Sequence, residues 1–313
     1  MADLDLTAIN HIGSRVTGGH ERMTEVVDPR EASPRPAPPS TARQSVDRYF
    51  RSIAPHGRDV DAADGLGGAI QRLRRSVALE LIDDLHVPRG ARVLEIGCGA
   101  GSVTAELATR GLVVDTVDTV DTLLAWTRSR VREADVRNRV TASGDDVHRL
   151  DFHSRVFSLV VALGVLPWLH SPGIALAEIG RVLDRGGHLV ISSENRLRLI
   201  NLLDPRLAPL FSLSRKALRC VLAALGLGTA SAPSVHPRLY SRRQLDGILA
   251  AAGLRRIKSL TLGFGPFSLE GYTLLSDATG AKLHQALQWL ADRGMPGLRA
   301  TGAQHLVVAQ RVK

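Results

Sequence analysis

The stretch Val93-Leu94-Glu95-Ile96-Gly97-Cys98-Gly99-Ala100-Gly101 constrains the fold more than any other part of the chain. Val, Leu and Ile around a single acid lack the polar alternation of a half-exposed strand, so the first residues read as the end of a buried parallel strand. Three glycines at alternate positions follow, and Ser102-Val103-Thr104-Ala105-Glu106-Leu107-Ala108 opens a helix. Strand, glycine turn and helix N-terminus together form a loop where backbone approaches a ligand closely and N–H groups point at it.

The glycine spacing narrows the ligand. A dinucleotide loop places its third glycine three positions after the second, where this chain has Ser102. Glu95, two residues before the first glycine, would repel a pyrophosphate and favour a cation. The pattern E-x-G-x-G-x-G after an apolar strand resembles the first motif of class I S-adenosylmethionine-dependent methyltransferases. That resemblance implies S-adenosyl-L-methionine as cofactor, with Glu95, Gly97, Cys98, Gly99 and Gly101 at its site.

The rest of the chain agrees with an α/β fold. Strand–helix alternation predicts a mostly parallel sheet with helices on both faces. The strands read as Arg92–Ile96, Leu112–Val117, a short one near Val140–Ala142, Ser158–Leu163, His188–Ser192, Leu254–Leu262 and His305–Gln310. The Arg185-Gly186-Gly187 turn announces the fifth. The expected architecture is a Rossmann-like, seven-stranded sheet with helical additions at its rim. The resemblance further implies that the seventh strand inserts antiparallel between the fifth and sixth.

Ahead of the sheet, residues 1–44 are polar and Pro-rich, ending in Asp28-Pro29-Arg30 through Pro38-Pro39-Ser40. Prolines at that density bar helix and predict a disordered or extended tail. Val46, Tyr49, Phe50 and Ile53 then recur at helical spacing, and a second amphipathic helix runs from about Ala69 to Leu85. The resemblance implies that these helices lie across the mouth of the cofactor site, although ordinary packing also accounts for Tyr49 and Phe50. The methyltransferase domain is therefore expected over 45–313, with insertions at about 196–237 and 263–302 where acceptor specificity would reside.

Composition bears on partners. The net charge of +9 invites a nucleic-acid reading. However, only Lys216, Lys258, Lys282 and Lys313 are lysines, and aromatic residues make up 4% of the chain. Arg and Ala richness thus reads as a bias of the whole chain, with little material for base stacking. No apolar run reaches the ~18 residues of a membrane span, and the N-terminus lacks a secretory pattern. With Cys98 inside the glycine loop and Cys220 the only other cysteine, a reducing cytoplasm is expected rather than a disulfide framework. The apolar and basic segment 196–237 is a candidate for peripheral lipid contact.

Asp118 follows the second strand about twenty residues after the glycine loop, where an adenosine-binding α/β fold puts an acid against ribose hydroxyls. Thr119 is beside it, and Asp121 or Thr122 is left to cap the next helix. The segment Gly144-Asp145-Asp146-Val147-His148-Arg149-Leu150-Asp151-Phe152 resembles the family's G-D-x-x-x-L-P-F. By that resemblance Asp146 meets the adenine amino group and Val147 supplies an N–H, while counting from Gly144 selects Asp145 instead. Leu163 and Gly164, ending the fourth strand, are expected against the methionine part of the cofactor.

A sulfonium methyl donor is already activated, so transfer needs alignment, desolvation and sometimes a base. His170, Glu194, His236 and Tyr240 are the base candidates, none singled out by the sequence. Related quinone O-methyltransferases hold a metal with paired glutamates near here. This chain has no glutamate between Phe157 and Ile174, so no metal is expected. The leading expectation is a methyltransferase acting on a hydroxyl of a small-molecule acceptor. Alternatives are an RNA methyltransferase, disfavoured because Leu163-Gly164-Val165-Leu166 replaces the D/N/S-P-P-Y/F motif of amino-methylating enzymes, a non-catalytic S-adenosylmethionine-binding protein, and a nicotinamide oxidoreductase.

Overall fold

In a computed structural model of the chain, the residues described are 41–54, 65–199, 235–265, 267–269, 272–273 and 275–312. Residues 1–40 of the expected tail, 55–64 of the loop between the first two helices, and 200–234 of the first insertion lie outside them. Helix α1 (Thr41–Ile53) starts inside the last residues assigned to the tail, and α2 (Leu66–Asp84) follows.

Alternating strands and helices come next: β1 (Arg92–Ile96), α3 (Ser102–Thr109), β2 (Val113–Val117), α4 (Asp121–Glu133), β3 (Val140–Ser143), β4 (Phe157–Ala162), α5 (Pro172–Val182) and β5 (Leu183–Asn195). The second half contains β6 (Leu239–Tyr240), α6 (Arg242–Ala251), β7 (Leu254–Leu262), the small hairpin β8 (Ser268–Leu269) and β9 (Tyr272–Thr273), α7 (Asp277–Asp292), α8 (Leu298–Thr301) and β10 (Gln304–Arg311). The main sheet has the order β3-β2-β1-β4-β5-β10-β7, with β6 paired to the end of β5. β10 runs antiparallel to both its neighbours, as the resemblance implied, and the pairs from β3 to β5 are parallel.

The fifth strand is longer than its expected His188–Ser192. Pairing begins at Leu183 opposite Phe157 and resumes at His188 opposite Leu159 after a register shift. Gly187 packs so close to the carbonyl oxygens of Phe157 and Ser158 that a Cβ would sit 3.1–3.2 Å from them. The two glycines therefore form an irregularity inside the strand rather than a turn before it.

Strand alternation divides the core between the sheet's faces. Val93, Val114, Leu159, Val161, Leu306 and Val308 pack with Leu81, Ile82 and Leu107 of α2 and α3. Leu94, Val160, Leu189, Ile191 and Val307 face Leu176 and Ile179 of α5 and Leu245 and Leu249 of α6. The same alternation puts Glu95 on the face of Val93, toward α3. Among the described residues no helix is long and apolar enough to cross a membrane.

Candidate functional site

A cavity of about 500 Å³ opens at the carboxyl ends of β1, β2, β4 and β5, where open α/β sheets take their ligands. Its floor is the glycine loop. Gly97, Gly99 and Gly101 all have positive φ, at 72°, 55° and 79°, a region that side-chain-bearing residues rarely adopt. The loop is tied down by the Gly97 N–H donating to Val117 O at 2.8 Å and the Gly101 N–H donating to Cys98 O at 2.9 Å. Gly101 lies below the cavity against α4, where a Cβ would come within 2.8 Å of the Thr127 Cα. No side chain caps α3, and its first residues Ser102 and Val103 line the cavity.

Glu95 is 4% exposed. Its Oε2 accepts hydrogen bonds from the Thr104 hydroxyl of α3 and, at 3.4 Å, from the Thr116 hydroxyl of β2. Burial pushes its carboxyl up to about 7, against the two hydroxyl bonds that lower it. A buried acid whose partners are hydroxyls rather than cations suits a positively charged ligand beside it. Burial also pushes the Cys98 thiol up to about 12, which leaves it an unreactive group under the loop.

Asp118 is held by backbone. Oδ2 accepts the Gly99 N–H at 3.2 Å and Oδ1 the Val120 N–H at 3.0 Å. Val120 is the N-cap residue of α4, so the cap is neither Asp118 nor the expected Asp121 or Thr122. Burial raises the Asp118 carboxyl above its ordinary range, while these backbone bonds oppose the shift. Thr119 donates its hydroxyl to Asp47 Oδ1 of α1 at 3.1 Å, so the first helix is fastened beside this acid.

The β3–β4 loop carries the other acids. The Ser143 hydroxyl donates to Asp145 Oδ2 at 2.6 Å. Asp146 Oδ1 accepts the His148 backbone N–H at 3.0 Å and lies 2.7 Å from His148 Nδ1. Because His148 Nε2 accepts the Ser171 N–H at 3.3 Å, Nδ1 is the protonated nitrogen facing Asp146. His148 stacks on His170 with ring centroids 3.6 Å apart. The loop is anchored from α5: Arg181 donates to Leu150 O and Phe152 O, and Glu178 accepts the Leu150 N–H. The Leu150-x-Phe152 part of the motif is therefore a mooring for the acids before it.

The rest of the lining is aromatic and polar. Tyr49 and Phe50 of α1 meet Trp168 of the 3₁₀ turn Leu166–Trp168, with centroids 5.6 Å and 5.2 Å from it. Gln71, Arg74 and Arg75 of α2, Glu194 of β5 and Gln304 of β10 complete the lining. Gln304 Nε2 donates to Glu194 Oε1 at 2.9 Å. Burial raises the Glu194 carboxyl, opposed by that hydrogen bond and by the charges of Arg198 and Arg74.

Of the residues anticipated at the cofactor site, Glu95, Gly97, Cys98, Gly99, Asp118, Thr119, Asp145, Asp146, Val147, Leu163 and Gly164 line this one cavity. Gly101 acts from beneath. Of the base candidates, His170 and Glu194 line it. Tyr240 is buried with Leu245 and Leu249 and is not in the lining, and His236 is exposed outside the lining. Thr104, Thr116, His148 and Gln304 escaped the sequence reading, since each acquires its role only through a neighbour from another element. Among the described residues no group of three or more His, Cys, Asp or Glu gathers to hold a metal.

Residues 94–191 match the family model described as a methyltransferase domain. This part of the chain is similar to methyltransferase domains. Two curated relatives are similar to it. A phosphatidylethanolamine N-methyltransferase of Cereibacter sphaeroides is 32% identical over 33% of this chain and 50% of its own length. A ubiquinone biosynthesis O-methyltransferase of Vibrio cholerae is 25% identical over 50% of this chain and 64% of its own. The chain thus spans about half to two thirds of the length of these relatives. Among solved structures, magnesium protoporphyrin IX methyltransferase from Synechocystis with bound SAH shares the fold, with a TM-score of 0.54, 16% identity, and coverage of 86% of this chain and 99% of that one.

Proposed function

We propose that the chain transfers the methyl group of S-adenosylmethionine to a hydroxyl of a small molecule bound in the same cavity. The observation that carries this reading is the lining of the cavity, which brings the glycine loop, Glu95, Asp118 and Asp146 into one space with Trp168, Tyr49, Phe50, Glu194 and Gln304. In this reading Glu95 balances the cofactor's positive charge, and the glycine loop and the start of α3 receive its carboxylate. Asp118 accepts from the ribose, and Asp146 and Val147 meet the adenine.

Bound S-adenosylmethionine supplies an electrophilic methyl carbon on a sulfonium. The chain's own contribution is alignment and exclusion of water: α1 roofs the cavity through the Asp47–Thr119 bond and the aromatic cluster, and a positioned reactant pair gains most of its rate from orientation. Arg74 and Arg75 in the wall favour a neutral hydroxyl over an ammonium beside a cofactor that is already cationic. The buried thiol Cys98 supports a reducing cytoplasm as its setting. The purified chain, incubated with S-adenosylmethionine and a panel of small alcohols and phenols, is expected to release S-adenosylhomocysteine. Binding of NAD with no binding of S-adenosylhomocysteine would overturn the assignment.

A further inference from the structure

Asp146 and His148 both line the cavity, and the two are joined twice. Asp146 Oδ1 accepts the His148 backbone N–H at 3.0 Å and the ring Nδ1–H at 2.7 Å. Both groups that His148 turns toward this oxygen are donors, so the oxygen meets them as an acceptor. A short bond from a ring nitrogen to a carboxylate fixes geometry as well as energy. The Asp146 side chain keeps 19% of its surface exposed, so a ligand in the cavity can reach it.

The imidazole is itself fixed from its far edge. Nε2 accepts the Ser171 N–H at 3.3 Å, and Ser171 is the N-cap residue of α5. That helix is anchored in the core through Leu176 and Ile179. His170 covers a face of the ring at a centroid distance of 3.6 Å, and 11% of the His148 side chain is exposed. A ring engaged at both nitrogens has one orientation and one tautomer. The terminal torsion of an aspartate is otherwise broad, so this strut decides where the Asp146 carboxylate points.

We infer that His148 is a positioning residue that sets the cofactor's base selectivity: it holds Asp146 as a fixed acceptor for the exocyclic amino group of adenine. This rests on the reading that Asp146 meets the adenine. Adenine presents an amino donor at that position, and a purine carrying a carbonyl there presents an acceptor instead. A carboxylate locked in one orientation accepts from the first and opposes the second. His148 acts through Asp146, not on the base itself.

The test is calorimetric titration of the full chain with S-adenosylhomocysteine and with its deaminated counterpart, S-inosylhomocysteine. The unaltered chain is expected to prefer the amino compound by at least about a hundredfold, because the oxo compound leaves an acceptor facing an acceptor. In His148→Asn the side-chain amide falls near the place of Nδ1 and still donates to Asp146. In His148→Gln it falls near Nε2, toward Ser171, and does not. The asparagine variant should keep the preference to within about threefold, and the glutamine variant should lose about tenfold of it, the scale of one hydrogen bond to a charged group. That loss should come from weaker binding of S-adenosylhomocysteine alone. Equal weakening of both compounds, or a glutamine variant as selective as the unaltered chain, overturns the inference. Nitrogen NMR of the unaltered chain with S-adenosylhomocysteine bound should show His148 protonated at Nδ1, and protonation at Nε2 overturns it whether or not the variants fold. An unaltered chain that binds both compounds equally shows instead that Asp146 does not meet the amino group, which also ends the inference. Absence of S-adenosylhomocysteine binding is a different result again: it removes the proposed function.

Discussion

Asp118 Oδ2 accepts the backbone N–H of Gly99 at 3.2 Å, which couples the acid after β2 to the middle of the glycine loop after β1. The same carboxylate takes the Val120 N–H through Oδ1. It therefore shapes the loop before any ligand arrives, and its remaining lone pairs are aimed by those two bonds. This link makes the acid and the loop one unit.

Asp118→Ala is accordingly expected to weaken S-adenosylhomocysteine binding by roughly 1–3 kcal/mol, the range for a hydrogen bond to a charged group. The loss should exceed that of Asp118→Asn, which retains one oxygen for Val120. Calorimetry on the two variants decides it. Equal affinity of the alanine variant and the unaltered chain would place the ribose elsewhere.

Gly101 is required for two independent reasons, its φ of 79° and the Thr127 Cα 2.8 Å from a would-be Cβ. Gly101→Ala should cost about 3 kcal/mol of folding stability from backbone strain and overpacking combined, and should weaken cofactor binding with it. Gly173, in the first turn of α5, has nothing within 4 Å and no positive φ. Gly173→Ala should be neutral or stabilising by about 0.5 kcal/mol. Urea denaturation of both variants separates a special loop position from a general intolerance of alanine.

The glycine loop and two of the strands were legible because local rules set them: β1 and β7 fall on the residues expected of them, and glycine suits the three positive-φ positions best. Strand five was misjudged at both ends because its extension depends on partners, Phe157 before the Gly186-Gly187 irregularity and β10 and β6 beyond Ser192. The position of β10 came from resemblance, since period-two patterning does not reveal which strand lies beside which. The acids of the site were found, but their partners were not. Nothing local in the sequence joins Thr104 to Glu95, His148 to Ser171, or Gln304 to Glu194. Tyr240 is a base candidate by residue type and a core residue in the fold, because a two-residue pairing with β5 packs it with Leu245 and Leu249 outside the cavity lining.

Trp168 joins the post-β4 turn to α1 through both Tyr49 and Phe50. Each aromatic pair contributes about 0.5–1.5 kcal/mol beyond area burial, so Trp168→Ala should loosen α1 by roughly 1–3 kcal/mol. Arg48 and Arg51 are exposed on that helix, so limited trypsin digestion should cut there faster in the variant. Thr119→Val, which removes the bond to Asp47, should produce a smaller acceleration. An unchanged cleavage rate in Trp168→Ala would mean that the aromatic cluster does not hold the roof.

Glu95 gives the site a pH dependence whose sign follows from its burial. Its carboxyl stands at about 7 in the folded protein against an ordinary 4.5. Below the ordinary value both folded and unfolded chains hold the proton. Between the two values the unfolded chain releases it and the folded chain does not, so stability falls as pH rises and levels off above about 7. The whole effect amounts to about 3 kcal/mol, and Glu95→Gln should remove that slope from the pH profile of urea unfolding. A cationic ligand reverses the preference at this position, because it favours the carboxylate over the acid. The groups facing Glu95 are the hydroxyls of Thr104 and Thr116, the buried Cys98 and the Asp118 carboxylate, and a ligand cation would be the only positive charge among them. S-adenosylmethionine affinity should therefore rise by about tenfold between pH 6 and 8 as the fraction of ionised Glu95 grows. Binding at the lower pH should release a proton, measurable by calorimetry in two buffers of different ionisation enthalpy. Affinity that is flat with pH, or that persists unchanged in Glu95→Gln, would show that the acid before the glycine loop does not face the cofactor's charge.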